Sequence, residues 1–133
     1  MAETVIGSGA QHTERAVGGT TVVKLYGEID ILAALSLTER LDALTARVCP
    51  DLVVDLRAVS FIDCAGLRLL CRARDRITER RGRLRLVTDS DRFLRVVHGA
   101  GLEGVFDVYD HLPEAGLTTG SRTALAGGRS VPV

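Results

Sequence analysis

The sequence lacks an excess of charge of either sign, and it lacks any long apolar run. Seventeen basic and 17 acidic residues give the 133-residue chain a formal net charge of zero at pH 7. A neutral chain has no general attraction to nucleic acid or to an anionic membrane surface. No apolar run approaches the roughly 20 residues that cross a bilayer, and residues 1–11 lack the apolar stretch of a signal peptide. We therefore expect a cytoplasmic protein that binds neither nucleic acid nor membranes.

Paired cysteines and clustered histidines are also missing. The three cysteines are odd in number and show no C-x-x-C spacing, and the three histidines fall in no metal-binding pattern. Cys64 and Cys71 lie seven residues apart on one predicted helix. That spacing corresponds to about 10 Å, which exceeds the roughly 7 Å between Cα atoms that a disulfide tolerates. We therefore expect three free thiols in a reducing compartment, with no metal and no cofactor.

Short apolar and β-branched runs alternate with helical patterns along the chain. Strands are predicted at residues 13–17, 20–26, 52–56, 84–88 and 105–109. Four helices are predicted: one opening with a capping box at residues 36–39 and closed by Pro50, one over residues 64–80, one capped by Asp89 or Ser90, and one starting near residues 112–115. Strands that alternate with helices imply right-handed crossovers and a largely parallel sheet.

An N-terminal hairpin adds an antiparallel edge to that sheet, with Gly18 and Gly19 as its turn. The predicted fold class is therefore α/β. It is a single domain over residues 12–116, with a mixed, mostly parallel β-sheet, an N-terminal antiparallel hairpin strand and about four helices. Residues 1–11 are expected to form a flexible tail. Residues 117–133, which are rich in Gly, Ser, Thr and Ala, are expected to form a disordered one.

One stretch, residues 51–70, turns the chain from a buried strand into a helix. Asp63 suits the N-cap of that helix because its carboxylate can accept bonds from the free N–H groups of the first turn. Cys64 would then lie in the first turn, where the positive end of the helix favours a thiolate or a phosphate. Gly66 would let another backbone come close to this corner. The pattern indicates a site.

Asp30 and Asp63 are expected to lie at the same edge of the sheet. Each follows a predicted parallel strand, and α/β proteins place their sites at the carboxyl ends of such strands. Residues 88–91 reach that edge too. The two carboxylates could serve metal or acid–base chemistry, or Asp63 could simply cap its helix. Asp30 is less easily explained by local structure.

Three segments resemble the STAS domains, the family of sulphate-transporter and anti-sigma-factor-antagonist domains. They are FIDCAGL at residues 61–67, GEID at residues 27–30 and GLEGVFDVY at residues 101–109. Each match is short, but their order and spacing extend the resemblance over residues 12–115. The resemblance implies an anti-sigma factor antagonist that works by binding rather than by catalysis.

In the bacterial regulatory members that the chain resembles, the pattern is Asp-Ser-(Ser or Thr)-Gly-Leu-Gly, and a partner anti-sigma factor that is itself a kinase phosphorylates the serine. The resemblance implies that this chain, a monomer or weak dimer, binds an anti-sigma factor with a histidine-kinase-like ATPase fold and so frees a sigma factor. The residues expected at the partner-binding surface are Asp30, Ile31, Asp63, Cys64, Ala65, Gly66, Leu67, Arg68 and Ser90.

Three residues depart from that pattern. Cys64 stands at the position equivalent to the phosphoacceptor, Ala65 replaces the second hydroxyl residue, and Arg68 replaces a glycine. Serine phosphorylation at position 64 is therefore impossible. We expect an antagonist that binds its partner constitutively or under thiol control.

The sequence permits several roles for Cys64. It can be a semi-buried residue in a protein that no longer uses the acceptor, a redox-sensing or otherwise modified thiol, or a thiol that is itself phosphorylated. A thiol-dependent transferase or phosphatase is a further alternative, for which only Arg68 offers a cation. A scaffold subunit of a sensory complex is another. The arginine run over residues 68–85 is interpreted as a solvated face, because acids interrupt it and no aromatic platform accompanies it.

Overall fold

The structure is a computed structural model that describes residues 2–6 and 10–112. Its strands are β1 (Ala2–Ile6), β2 (Ala10–Val17), β3 (Thr20–Ile29), β4 (Asp51–Ile62), β5 (Arg83–Val87) and β6 (Val108–Tyr109). Its helices are α1 (Ile31–Leu44), α2 (Cys64–Glu79) and α3 (Asp91–Gly99). None of the helices in these ranges is both long and apolar enough to cross a bilayer.

The strands form one mixed sheet in the order β1-β2-β3-β4-β5-β6. The pairs β1–β2 and β2–β3 are antiparallel, and the three remaining pairs are parallel. Gly18 and Gly19 both have positive φ angles between β2 and β3, which is the conformation of a two-residue hairpin turn. The predicted α/β class with a mixed sheet and an N-terminal hairpin is confirmed.

The main core lies between one face of the sheet and the three helices. In β4, Leu52, Val54 and Leu56 belong to this core, whereas Val53 belongs to a smaller cluster with Val22, Val87 and Tyr109. Successive side chains of a strand point to opposite faces, so the smaller cluster lies on the other face. Leu112, at the end of the described range, packs against this second cluster. The C-terminal end of the described chain therefore lies on the face opposite the helices.

The predicted start of the first helix is wrong. The capping box at residues 36–39 lies inside α1, which begins at Ile31 with Asp30 as its N-cap. The carboxylate of Asp30 accepts a hydrogen bond from the Ala33 backbone N–H at 3.0 Å, and this bond supplies the start that Ser36 was expected to supply. The helix ends before Pro50, where the Thr45 hydroxyl donates to the Leu41 carbonyl at 2.7 Å.

Other strand boundaries differ from the prediction as well: β6, for example, comprises only Val108–Tyr109 of the predicted residues 105–109. Residues 2–6 form β1 rather than part of a loose tail, because their backbone pairs with β2, so β1 rather than β2 lies at the sheet edge. Strand β4 continues six residues beyond Leu56 to Ile62, because it stays paired with β3 across two register shifts. The predicted fourth helix lies almost entirely outside the described residues, as does the predicted tail over 117–133.

Candidate functional site

The chain segments around Asp30 and Asp63 meet at the carboxyl edge of the sheet. Ile29 and Ile62 are register partners in the parallel pair of β3 and β4. The backbone N–H of Asp63 also lies 3.5 Å from the Ile29 carbonyl oxygen. The predicted convergence of these two loops is confirmed. We call the edge formed by residues 30–31 and 63–68 the corner site.

Both acids of the corner site cap helices. Asp63 caps α2, and one of its carboxylate oxygens accepts bonds from the N–H groups of Ala65 at 2.9 Å and Gly66 at 3.1 Å. Asp30 caps α1 in the same way through Ala33. The cap was predicted for Asp63 and missed for Asp30. These bonds give both carboxylates a local structural role. The described residues contain no cluster of three or more His, Cys, Asp and Glu side chains that could hold a metal ion.

Gly66 lets α2 begin directly against the ends of the two strands. A Cβ atom at this position would lie 2.5 Å from Ile62 Cγ1 and 3.1 Å from the Ile29 carbonyl oxygen. The 2.5 Å distance to Ile62 is much shorter than a van der Waals contact. A larger residue at position 66 would therefore push α2 away from the sheet. The predicted close approach at Gly66 therefore exists, and it holds Cys64 in a defined position beside the Asp30 loop.

Cys64 is the first residue of α2, and its side chain is exposed. The interpretation of Cys64 as a semi-buried residue is therefore wrong. Within the described part of the chain, neither Cys64 nor the exposed Arg68 makes a side-chain hydrogen bond or an ion pair. The thiol is thus accessible, and the described side chains place no hydrogen-bonded base on it.

Exposed apolar side chains lie close to the two acids in the sequence. Ile31 and Leu35, one helical turn apart on α1, are 61% and 65% exposed, and Phe61 near the end of β4 is 47% exposed. Leu32 is exposed as well. Large apolar side chains grouped on a surface mark an interaction site. Only Ile31 among them was predicted; Leu32 and Leu35 were missed because the helix was expected to begin at residue 36.

A cleft of about 150 Å³ lies beside the corner site, between the last residues of β4 and the start of α3. Ser90, the remaining predicted site residue, lines this cleft and caps α3 by accepting a bond from the Phe93 N–H at 3.1 Å. The Ser90 N–H donates to the Thr88 hydroxyl at 3.2 Å. Ser90 therefore lies at the end of β5, at the same sheet edge as the corner site, but its hydroxyl already has a structural role.

Several arginines of the run, which was interpreted as a solvated face, bond to other parts of the protein. Arg72 forms a two-bond contact with the Asp42 carboxylate, with both distances at 2.9 Å, and so joins α2 to α1. This contact is the main reason that the pKa of Asp42 is lowered. Arg76 donates to the Thr45 hydroxyl, and Arg85 donates to Asp51 at 2.7 Å with its own side chain buried. These contacts support a structural role for the run.

Comparison with known protein families matches residues 11–115 to the STAS domain. The chain belongs to the STAS domain family. This match covers the corner site, both capping acids and the cleft. Two of the three segments that suggested the family, residues 27–30 and 61–67, lie at the carboxyl ends of β3 and β4, and the third, residues 101–109, leads into β6.

Relatives within the STAS family carry names that concern sigma factor regulation. The anti-sigma-F factor antagonist RsfB of Mycobacterium tuberculosis is 30% identical over 111 residues, which cover 84% of this chain and 85% of the relative. The anti-sigma-B factor antagonist of Bacillus subtilis is 33% identical over 86 residues, covering 65% and 78% of the two chains. The crystal structure of an anti-sigma factor antagonist from Mycobacterium paratuberculosis is 30% identical, covers 80% of this chain and 90% of its own, and has a TM-score of 0.71.

Proposed function

We propose that this STAS protein is an anti-sigma factor antagonist that binds an anti-sigma factor through the corner site and so frees a sigma factor. The observation that carries the proposal is the convergence of the Asp30 and Asp63 loops, which the pairing of Ile29 with Ile62 imposes. The names of the relatives supply the class of partner. The fold of that partner, a histidine-kinase-like ATPase, follows from the family resemblance.

The surface around the corner site suits a protein partner. Ile31, Leu35 and Phe61 offer apolar area that is free for contact, and buried apolar anchors supply most of the energy of protein interfaces. The carboxylates of Asp30 and Asp63 lie beside this area. They supply negative charge that a basic side chain of the anti-sigma factor can recognise, which favours the correct partner and orientation.

Cys64 lies where a phosphate would have the largest effect on such a contact. A phosphoserine there would add about two negative charges. The N–H groups of Ala65 and Gly66, which could otherwise bind that phosphate, are already bonded to the Asp63 carboxylate. The phosphate would therefore lie beside the Asp63 carboxylate without these N–H partners. The cost of burying its charge in the contact, together with repulsion from Asp63, would break the contact. Because Cys64 has no hydroxyl, we propose that this antagonist escapes the phosphorylation switch and binds constitutively or under thiol control.

The test is a titration of the purified anti-sigma factor against variants of Asp30. A partner that co-purifies with the tagged protein and carries a kinase-type ATPase fold is purified and titrated by calorimetry. Asp30→Asn keeps an oxygen acceptor for the α1 cap but removes the charge, so we expect about tenfold weaker binding, or roughly 1.4 kcal/mol, with unchanged stability. Glu79→Gln, at the far end of α2, is the matched control.

Two outcomes would contradict the proposal. If no anti-sigma factor binds the wild-type protein, the proposed function is wrong. If Asp30→Asn and Glu79→Gln bind with the same affinity as the wild type, the protein has the proposed partner but the corner site does not hold it.

A further inference from the structure

We propose that the cleft between β4 and α3 receives one bulky apolar side chain of the anti-sigma factor, and that an acidic residue next to that side chain pairs with Arg92. This inference rests on the proposed function and extends the binding surface beyond the corner site. The cleft walls are apolar and come from two elements, with Leu56, Val59 and Ile62 on β4 and Phe93 and Val96 on α3.

The volume of the cleft limits the size of the group that it can hold. Its volume of about 150 Å³ matches the volume of apolar protein cavities that bind a benzene-sized group. It is well below the roughly 300–1,000 Å³ of pockets that enclose whole small-molecule ligands. One leucine, methionine or phenylalanine side chain fits this space, and the surrounding polypeptide of the partner would lie over the rim.

The rim of the cleft exposes apolar side chains that another protein surface can cover. Phe61 is 47% exposed and Val96 is 38% exposed, although both line the cleft. Ile62, on the cleft wall, directly precedes Asp63 of the corner site. The cleft and the corner site are therefore continuous, and one partner surface can cover both.

Leu112, the last described residue, does not line the cleft. Leu112 packs against Val22, Val53, Val87 and Tyr109 on the face of the sheet opposite the helices. The cleft lies on the helical side, because its wall residues Leu56 and Phe93 belong to the main core. The cleft and Leu112 therefore lie on opposite faces of the sheet.

Arg92 supplies the charge that the occupant should match. The other polar groups at the α3 end of the cleft are engaged, since Ser90 caps the helix and the Thr88 hydroxyl accepts the Ser90 N–H. Arg92 is exposed at the cleft and makes no hydrogen bond or ion pair with any residue that the structure describes. An arginine beside an apolar cleft favours a carboxylate next to an apolar side chain, since its guanidinium can hold both oxygens of that carboxylate.

The experiment measures the affinity for the purified anti-sigma factor of variants in and outside the cleft. Val96→Asp places a charge at the apolar rim, and we expect at least tenfold weaker binding. Ser60→Trp, at an exposed strand position on the cleft, fills the space without changing the core and should give a similar loss. Arg92→Glu should weaken binding about fivefold.

Two matched controls are expected to bind within twofold of the wild type. They are Arg95→Glu, on the same helix as Arg92, and Val48→Asp, at a position that is 85% exposed.

The outcomes separate the inference from the proposed function. If Val96→Asp, Ser60→Trp and Arg92→Glu bind like the wild type while Asp30→Asn binds weakly, the cleft is not part of the interface and the inference is overturned, but the proposed function stands. If the wild-type protein sediments as a dimer that Val96→Asp converts to a monomer, a second copy occupies the cleft, and the inference is likewise overturned. Absence of any binding by the wild type overturns both.

Discussion

Asp30 and Asp63 cap two different helices from neighbouring positions, because the residues that precede them, Ile29 and Ile62, are register partners in parallel strands. Each acid therefore both starts a helix and contributes to the surface that we propose for partner binding. A substitution to alanine removes both contributions together. Substitutions that keep the cap but remove the charge separate the structural contribution from the binding contribution.

Asp63→Ala should destabilise the protein by about 1 kcal/mol, the usual cost of losing an N-cap. The N–H groups of Ala65 and Gly66 would lose their acceptor. Urea unfolding measures the effect. Asp63→Ser should restore most of the stability because serine is also a good cap. Equal stability of the alanine variant and the wild type would show that the cap contributes nothing.

Gly66→Ala should destabilise the protein by about 1–3 kcal/mol, the typical cost of overpacking. The new Cβ would lie 2.5 Å from Ile62 Cγ1, whereas a Cβ at Gly99 in α3 meets nothing within 4 Å. Gly99→Ala is therefore the matched control, and it should be neutral or slightly stabilising because alanine favours helices. Thermal or urea unfolding of both variants provides the comparison, and similar effects at the two positions would contradict the close approach.

Glu14 should contribute to stability in a pH-dependent way. The hydrogen bond from Arg40, at 2.6 Å between Nη2 and Oε1, is the main cause that lowers the pKa of Glu14 from 4.5 to about 2; burial opposes this, and a 2.9 Å contact with His12 adds to it. A pKa that is lower in the folded state stabilises the protein above the unfolded value and ceases to do so as protonation proceeds. This stability is therefore present above pH 4.5 and is lost as the pH falls toward 2.

As the pH falls from about 4.5 to 3, the unfolding free energy of the wild type should decrease, and Glu14→Gln should make this decrease smaller by about 1 kcal/mol. The value is modest because Arg40 is half exposed and water screens the ion pair. Urea unfolding across this pH range measures it. Part of the decline should remain, since the Arg72 hydrogen bond also lowers the pKa of Asp42. Glu39→Gln, an exposed residue of α1, is the control; an equal flattening in that variant would rule out the specific pair.

Cys64→Ser should restore phosphorylation by the anti-sigma factor. Incubation of the variant with the partner and ATP is expected to add about 80 Da to the intact mass, the mass of one phosphate, and to weaken binding through the added charge. The wild-type protein should not gain this mass. A stable gain that maps to Cys64 in the wild type would show that the thiol itself accepts phosphate.

Cys64 should react with iodoacetamide at a rate close to that of Cys49. Both thiols are exposed, whereas Cys71 is partly buried and burial raises its pKa, so Cys71 should react more slowly because it carries less thiolate. Peptide mass spectrometry over a time course measures the three rates in one sample. A rate at Cys64 more than about tenfold above that of Cys49 would favour a thiol-dependent enzyme or redox sensor.

Several parts of the site were accessible from the sequence because they depend on neighbours in the chain. The Asp63 cap and the place of Cys64 in the first turn of α2 involve adjacent residues. The exposure of Cys64 and the contact of Gly66 with Ile29, by contrast, depend on the tertiary structure. The start of α1 was misplaced because residues 36–39 fit a local capping pattern equally well. The local pattern did not show that β3 ends at Ile29 and that Asp30 caps α1, because the pairing of β3 with β4 sets the end of β3.

The sequence by itself determined the order of strands and helices from β2 to β6, the hairpin at Gly18 and Gly19, and the motif that starts α2, because each depends on periodicity or on bonds between nearby residues. Only the tertiary structure decided which side chains share a surface. The register between β3 and β4 brings Asp30 beside Asp63. The packing of α1 and α3 on the sheet leaves Ile31 and Leu35 exposed and forms the cleft. That register arises from packing between segments distant in the chain, and such packing leaves no local signal in the sequence.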